Sequence, residues 1–236
     1  MSEKITLVFF LKPDAVIRRY VGARTYKTLL DNLSDLEFLT FDEMFVDTEF
    51  LAEQHYVEHK GKFFYEWLVD YVATGPILLS IIRTTKENVR RIREILGPTL
   101  PEKAAIEAPN TIRAKYGIMG GVNVAHASDA VETALRESKI WFEYLKSKGI
   151  DPMKSNPKTI LSRVEEYINT YIDYPIIDSL RYRELCSLVK DNPSRRSEIE
   201  SKIANLLVKE TEEKFIESNH TKKLARILIE NVLLKR

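Results

Sequence analysis

The chain has 236 residues, 44% of them apolar and 30% charged, a balance that suits a folded protein and excludes wholesale disorder. Lys and Arg (36) nearly match Asp and Glu (35), so there is no global field to hold a nucleic-acid backbone or an acidic membrane. The single cysteine, Cys186, excludes an internal disulfide and a cysteine-based zinc site, and favours a reducing, cytoplasmic setting.

Residues 5–11 form a continuous apolar run closed by Lys12-Pro13-Asp14, the pattern of a strand buried on both faces rather than of a signal peptide. Residues 16–30 carry helical spacing, and residues 38–46 alternate apolar and polar as a half-buried strand does. A helix opened by Asp47-Thr48 reaches about Tyr56, and another covers residues 63–73 before "TGP". Residues 77–82 give a third strand. Thr85 then opens a helix with Val89, Ile92 and Leu96 on one face and Gly97 at its C-cap. The proline-bearing stretch 97–117 lacks steady periodicity and reads as a long loop, of the kind that tends to be functional. Residues 118–125 make a fourth strand, and Asp129 with Glu132 at capping-box spacing starts a helix through Ala134, Ser138, Trp141 and Leu145.

This order predicts an α+β sandwich of the split βαβ type. Beyond Lys146 the segment "KSKGIDPMKSNPK" has linker composition, and only helices follow. Ile160, Val164, Tyr167 and Tyr171 share one helical spacing, Ile199, Ile203 and Leu206 another, and residues 224–234 are apolar around much of their circumference. The expected division is a domain over residues 1–146 and an all-α extension over 147–236. No stretch has the roughly 20 apolar residues of a membrane helix. "NPSRRSE" and "HTKKLAR" are basic but lie beside Glu198, Glu212 and Glu213, so nucleic acid is not an expected partner.

His126 follows strand residues and precedes a helix start, where unpaired backbone N–H groups and the positive end of a helix dipole attract anions. A lone histidine in such a place is ordinarily a packing or capping residue. The surroundings point further: Glu137 lies within reach to accept a ring proton, and Lys12, Arg93, Thr99 and Arg113 stand at strand, helix and loop ends where they can hold phosphate oxygens. His55 and His59 could in geometry share a metal, but with no third ligand evident and Lys60 next in sequence both are expected at the surface. His220 reads as a solvent-facing helix-start residue, and Cys186 and Trp141 as core.

"FFLKPDAV", "EQHYVEHKGKFF", "YVATGPILL", "REILGPT", "PNTIRAKYGI" and "NVAHASDAVETALRE" occur in the order found in nucleoside diphosphate kinases, and the resemblance covers about residues 4–145. It includes the NxxHxSD signature around His126. The resemblance implies a ferredoxin-like fold with a four-stranded antiparallel sheet and a ping-pong transfer of the γ-phosphoryl of a nucleoside triphosphate to a nucleoside diphosphate through a phosphohistidine on His126. It makes Glu137 the orienting partner of His126 and sets Tyr56 beside the transferring group. Lys12, Arg93, Thr99 and Arg113 would hold phosphates, Lys12 and Asn123 the ribose hydroxyls, and Phe64 the base. Mg²⁺ would arrive with the nucleotide and touch Asp129 through water, without a direct protein ligand. A homo-oligomer is also implied.

Three positions depart from the family's pattern. Ala127 and Asn110 replace glycines, and Gly120 stands where an aliphatic residue generally packs against the base, so weaker nucleotide binding is expected. The rival expectation is a non-catalytic nucleotide-sensing scaffold whose C-terminal helices bind a protein partner.

Overall fold

The computed structural model describes residues 4–234; residues 1–3 and 235–236, the outer ends of the two expected domains, lie outside the described residues. The apolar run at the start forms β1 (Lys4–Leu11), buried on both faces from Leu7 onward because both its neighbours are strands and helices cover the sheet. Two helices follow, α1 (Pro13–Ile17) and α2 (Arg19–Asn32), where the spacing predicted one. The break falls at Arg18, whose backbone leaves helical geometry (ψ 79°) while its guanidinium turns into the interior.

The half-buried strand expected over residues 38–46 is two short pieces, β2 (Glu37–Phe38) and β3 (Asp42–Met44). Both pair antiparallel with β4 (Ile77–Thr85), Phe38 opposite Ile82 and Asp42 opposite Leu79, so they form one interrupted edge strand. Thr40 causes the interruption: its hydroxyl takes the Ile81 N–H at 2.8 Å in place of a backbone acceptor. β4 pairs with β1 from Lys4↔Thr85 to Leu11↔Leu78, and β5 (Ala125–Ala127) closes the far side with Phe10 opposite His126. The order β2/β3-β4-β1-β5, antiparallel throughout, is the ferredoxin-like sheet.

Between these strands run α3 (Thr48–Phe50) with a π-helical turn over Leu51–His55, α4 (Tyr65–Thr74) and α5 (Lys86–Leu96). The Thr85 hydroxyl accepts from the Asn88 N–H, and Gly97 (φ +83°) ends α5 as expected. A Cβ on Gly97 would also lie 2.2 Å from the Thr111 hydroxyl, so the position needs glycine twice over. The long loop expected after it carries two short helices, α6 (Pro101–Glu107) and α7 (Ile112–Tyr116). Pro101 at the first helical position and the good helix formers behind it supply a local signal that the proline count masked.

α8 (Val131–Ser147) packs on β1, with Trp141 fully buried. Its N-cap is Ala130 without a side-chain bond, so the capping box read at Asp129 and Glu132 does not form. The expected linker is a tied-down turn. Gly149 (φ +79°) and Ile150 donate back to Lys146 and Leu145 (3.0 and 2.9 Å), a Schellman closure, and Lys148 pairs with Asp47 at 2.8 Å.

The remaining helices are α9 (Pro157–Tyr171), α10 (Ser179–Asp191), α11 (Arg196–Val208), α12 (Glu213–Glu217) and α13 (His220–Leu233). α9 lies on α2 and β2, α10 and α11 gather around α13, and α13 rests on α4 and α1. Cys186 is core, and burial pushes its thiol up to about 12. His220 starts α13 as expected but is buried against Phe45 and Phe215, not solvent-facing. The basic stretches are neutralised by ion pairs, Arg195 with Glu198 and both Arg196 and Arg226 with Glu230.

Two buried cations at the start of α2 join the extension to the sheet domain. Arg18 reaches Glu210 (3.2 Å) and the carbonyls of Tyr116 (2.8 Å) and Ile177 (3.1 Å), while Glu210 also takes the Tyr182 hydroxyl and the Ile177 N–H. Arg19 pairs with Glu43 and Glu212 between the rings of Tyr171 and Phe215. Both arginines and the three carboxylates of this seam are partnered, the condition under which a buried ion pair holds a fold.

Candidate active site

The strand expected over residues 118–125 is mostly an irregular loop with a Met119–Val122 bridge, and this loop builds the floor of the site. Val124 has φ +78°, a sterically costly state for a β-branched residue. It is the centre of a three-residue γ-turn in which the Ala125 N–H reaches the Asn123 carbonyl at 3.0 Å. Such strain persists only where neighbours over-determine it. Here the buried Asp14 carboxylate accepts the Val124 N–H (3.2 Å) and the Tyr71 hydroxyl, and the Lys12 N–H binds the Val124 carbonyl (2.8 Å). The turn sends β5 along β1 and leaves the Asn123 side chain inside.

Beside β5 lies a cavity of about 610 Å³. His126, Glu137, Lys12 and Tyr56 line it, and so do Phe64, Arg93, Thr99, Arg113, Asn123 and Asp129. All ten positions singled out from the sequence thus come together from five of the six quoted segments.

The His126 ring stacks on Phe10 (centroids 4.9 Å apart) and is 18% exposed. Its Nε2 hydrogen-bonds Glu137 Oε2 at 2.9 Å, and the Ser128 hydroxyl donates to the same oxygen at 2.7 Å. Arg136 lies 3.6 Å from the other carboxylate oxygen. Burial resists the charge on Glu137, but His126, the bond between them and Ser128 outweigh it and hold the carboxyl down to about 2. An ionised Glu137 fixes the proton on Nε2 and leaves Nδ1 as the ring nitrogen with a free lone pair.

Lys12 Nζ donates to Asn123 Oδ1 (2.8 Å) and the Gly121 carbonyl (3.0 Å), and Asn123 Nδ2 donates to the Thr99 carbonyl (2.8 Å). Arg113 donates to the carbonyls of Gly97, Asn123 and Ala125 at 2.8–3.2 Å. Among the described residues neither cation has a carboxylate within ion-pair distance. Burial, aided by repulsion from Arg113 and Arg93 and only partly opposed by Asp14, pulls the Lys12 ammonium down to about 7, and burial with Arg93 nearby, again against Asp14, pulls Arg113 down to about 9. Buried cations short of counter-charge are a place for an anion.

The Tyr56 hydroxyl is buried without a hydrogen-bond partner among the described residues, and burial raises its pKa. Phe64 is half-buried at the other end of the cavity, packed edge-on to Phe63. Asp129 is exposed at the rim.

Other lining residues were expected elsewhere or carried no expectation. His55 is not at the surface: it is buried, its ring centroid lies 4.5 Å from that of His126, and its Nδ1 accepts from the Trp141 indole at 3.2 Å. Burial first, then the His126 ring, drives its pKa well down. Ligand atoms of His55, His126 and Glu137 fall within 4.8 Å of one another, and His59, half-buried rather than at the surface, lines the same cavity against Tyr56 and Phe64. The place of His55 directly before Tyr56 was the available signal. Asn231 and Leu234 of the extension also line the cavity, and no local pattern marks them.

The nucleoside diphosphate kinase family model matches residues 5–146. The nucleoside diphosphate kinase of Schizosaccharomyces pombe is 44% identical over 145 residues, 61% of this chain and 89% of that protein. That of Pyrococcus furiosus is 36% identical over 146 residues, 61% of this chain and 86% of its own. Among solved structures, the Aquifex aeolicus nucleoside diphosphate kinase superposes with a TM-score of 0.52 at 29% identity, covering 59% of this chain and 96% of that one. With the ferredoxin-like sheet and the family match over more than half of its length, the chain belongs to the nucleoside diphosphate kinase family.

Proposed function

We propose that the chain moves the γ-phosphoryl of a nucleoside triphosphate to a nucleoside diphosphate in two half-reactions through His126. In the first, the Nδ1 lone pair attacks the γ-phosphorus, an N–P bond forms, and the bond to the β–γ bridging oxygen breaks as the nucleoside diphosphate leaves. In the second, a β-phosphate oxygen of another nucleoside diphosphate attacks that phosphorus and the N–P bond breaks. The observation that carries this reading is the Glu137–Nε2 bond at 2.9 Å, which commits one nitrogen and frees the other.

Phosphoryl transfer asks the protein chiefly for position and charge. Lys12, Arg93 and Arg113 would meet the phosphate oxygens, together with the Thr99 hydroxyl. Bringing an anion beside Lys12 and Arg113 offsets the cost of burying them. Tyr56, with a hydroxyl lacking a partner, would hydrogen-bond the transferring group. Asn123, held by Lys12, would meet the ribose hydroxyls, and Phe64 would stack on the base.

The donor set fits a nucleotide-borne Mg²⁺. Of the carboxylates lining the cavity, Glu137 is bonded to His126 and Ser128 and Glu58 is paired with Arg136, which leaves Asp129 to hold the ion through water. The failed capping box is what leaves Asp129 unspent. Bound on the phosphates, Mg²⁺ would neutralise part of their charge.

The proposal extends to a homo-oligomer, supported by Ile106, 84% exposed on the α6 segment, and to a reducing cytoplasmic setting, supported by the lone buried Cys186. None of the described helices is long and apolar enough to cross a membrane. The division into a catalytic domain of 1–146 and an extension of 147–236 is supported by the end of the family match at 146 and by the Schellman closure that follows.

γ-Labelled ATP is expected to give an acid-labile phosphoenzyme that GDP discharges, and His126→Ala should lower turnover by several orders of magnitude. Equal labelling of the alanine variant, or no label on the wild type, would overturn the mechanism.

A further inference from the structure

The helical extension reaches the nucleotide cavity with one polar side chain. Gly120, whose missing side chain led to the expectation of an open base slot, is occupied from outside: a Cβ built there would lie 2.5 Å from Asn231 Oδ1 and 2.9 Å from its Nδ2. The next residue repeats the device, since a Cβ on Gly121 would lie 2.6 Å from the Trp67 ring. Trp67 is bound to the same helix, its indole N–H donating to the Ile227 carbonyl of α13 at 3.2 Å. Ile227 and Asn231 are one turn apart on one face of α13. Trp67 in turn stands one turn beyond Phe64 at the start of α4. Anchor, carboxamide and the aromatic side of the cavity therefore form one assembly.

The Asn231 carboxamide makes no hydrogen bond to any described residue, although it faces the cavity that Phe64 and Leu234 line. A half-buried amide with both its donor and its acceptor unspent is suited to a ligand.

We propose that Asn231 reads the edge of the nucleotide base, which makes the extension part of the substrate site. This rests on the reading of the cavity as a phosphotransfer site with the base on Phe64. Stacking accepts any base, because every base has a π face. A carboxamide adds an adjacent acceptor and donor, the pair that matches an exocyclic amine beside a ring nitrogen, as adenine and cytosine both present. A base bearing that amine is then favoured over the same base without it, at a site that would otherwise be indifferent.

The test uses full-length protein, with ATP, GTP, CTP, UTP and purine riboside triphosphate as phosphoryl donors to one fixed acceptor. Wild type should favour ATP over purine riboside triphosphate, the analogue lacking the amine, by about 5- to 10-fold in kcat/KM, the worth of one or two hydrogen bonds. In both Asn231→Ala and Asn231→Leu the preference should collapse while the phosphoenzyme still forms. Wild-type ratios retained in the leucine variant would show that the side chain only fills space, and overturn the proposal. So would a wild type that forms the phosphoenzyme yet uses ATP and purine riboside triphosphate alike. A wild type that takes up no label brings down the reading of the site itself, and the proposal with it.

Discussion

Two pairs of buried cations separate the two regions of this molecule. Lys12 and Arg113, at the cavity, are held only by carbonyl and amide oxygens, and their proton affinities are pulled down to about 7 and about 9. Arg18 and Arg19, at the seam with the extension, are also buried, yet Glu210 raises the first and Tyr167, Glu43 and Glu212 raise the second against the cost of burial. Equal burial thus gives opposite shifts, and the sign sorts the roles. A cation with no carboxylate in ion-pair contact among the described residues is open to an anionic ligand, whereas a cation paired with carboxylates is fastening two parts of the fold.

The largest effect should come from breaking the seam. Glu210→Ala leaves Arg18 buried and unpaired, and a loss of about 3–5 kcal/mol is expected in urea denaturation. With the seam intact, in the wild type, the two regions should unfold in a single transition, and two separated transitions there would show that the seam does not couple them. Lys12→Met is expected to do the reverse: about 10²–10³-fold lower kcat/KM, comparable to removing a preorganised donor, with a far smaller change in unfolding midpoint than Glu210→Ala produces.

The depressed Lys12 ammonium predicts a pH dependence. Lys12 loses its proton as pH rises through about 7 in the free protein. Nucleotide affinity measured by calorimetry should therefore weaken above that point, by up to about tenfold per pH unit, and Lys12→Met should remove the slope. A slope unchanged in the variant would assign the titration elsewhere. The smallest effects compare like with like. Thr85 caps α5 in the domain and Asp178 caps α10 in the extension through its bond to the Leu180 N–H (2.8 Å). Each alanine variant should cost about 1 kcal/mol, and a cost at Thr85 alone would mean that the extension frays independently.

Legibility in the sequence followed the range of the interaction. The strand over residues 5–11, the α5 cap at Thr85 and the glycine at 97 are local devices, and each stands where it was expected. Readings failed where a distant group intervened. Arg18 breaks a helix because Glu210 pulls its side chain inward, Thr40 splits a strand by replacing a ladder acceptor, and Val124 leaves the extended region because Asp14 holds its N–H. His55 was misplaced for the same reason, since its partner Trp141 lies on another helix.

Sequence alone determined the inventory: the strand order, the family, and the ten residues that the cavity gathers, because motif spacing records which residues a site requires. Only the tertiary structure decided where the extension goes. Helical periodicity says that α13 has an apolar face but not which surface covers it, and burial of that face against α4 and α1 is what carries Asn231 to the gap at Gly120.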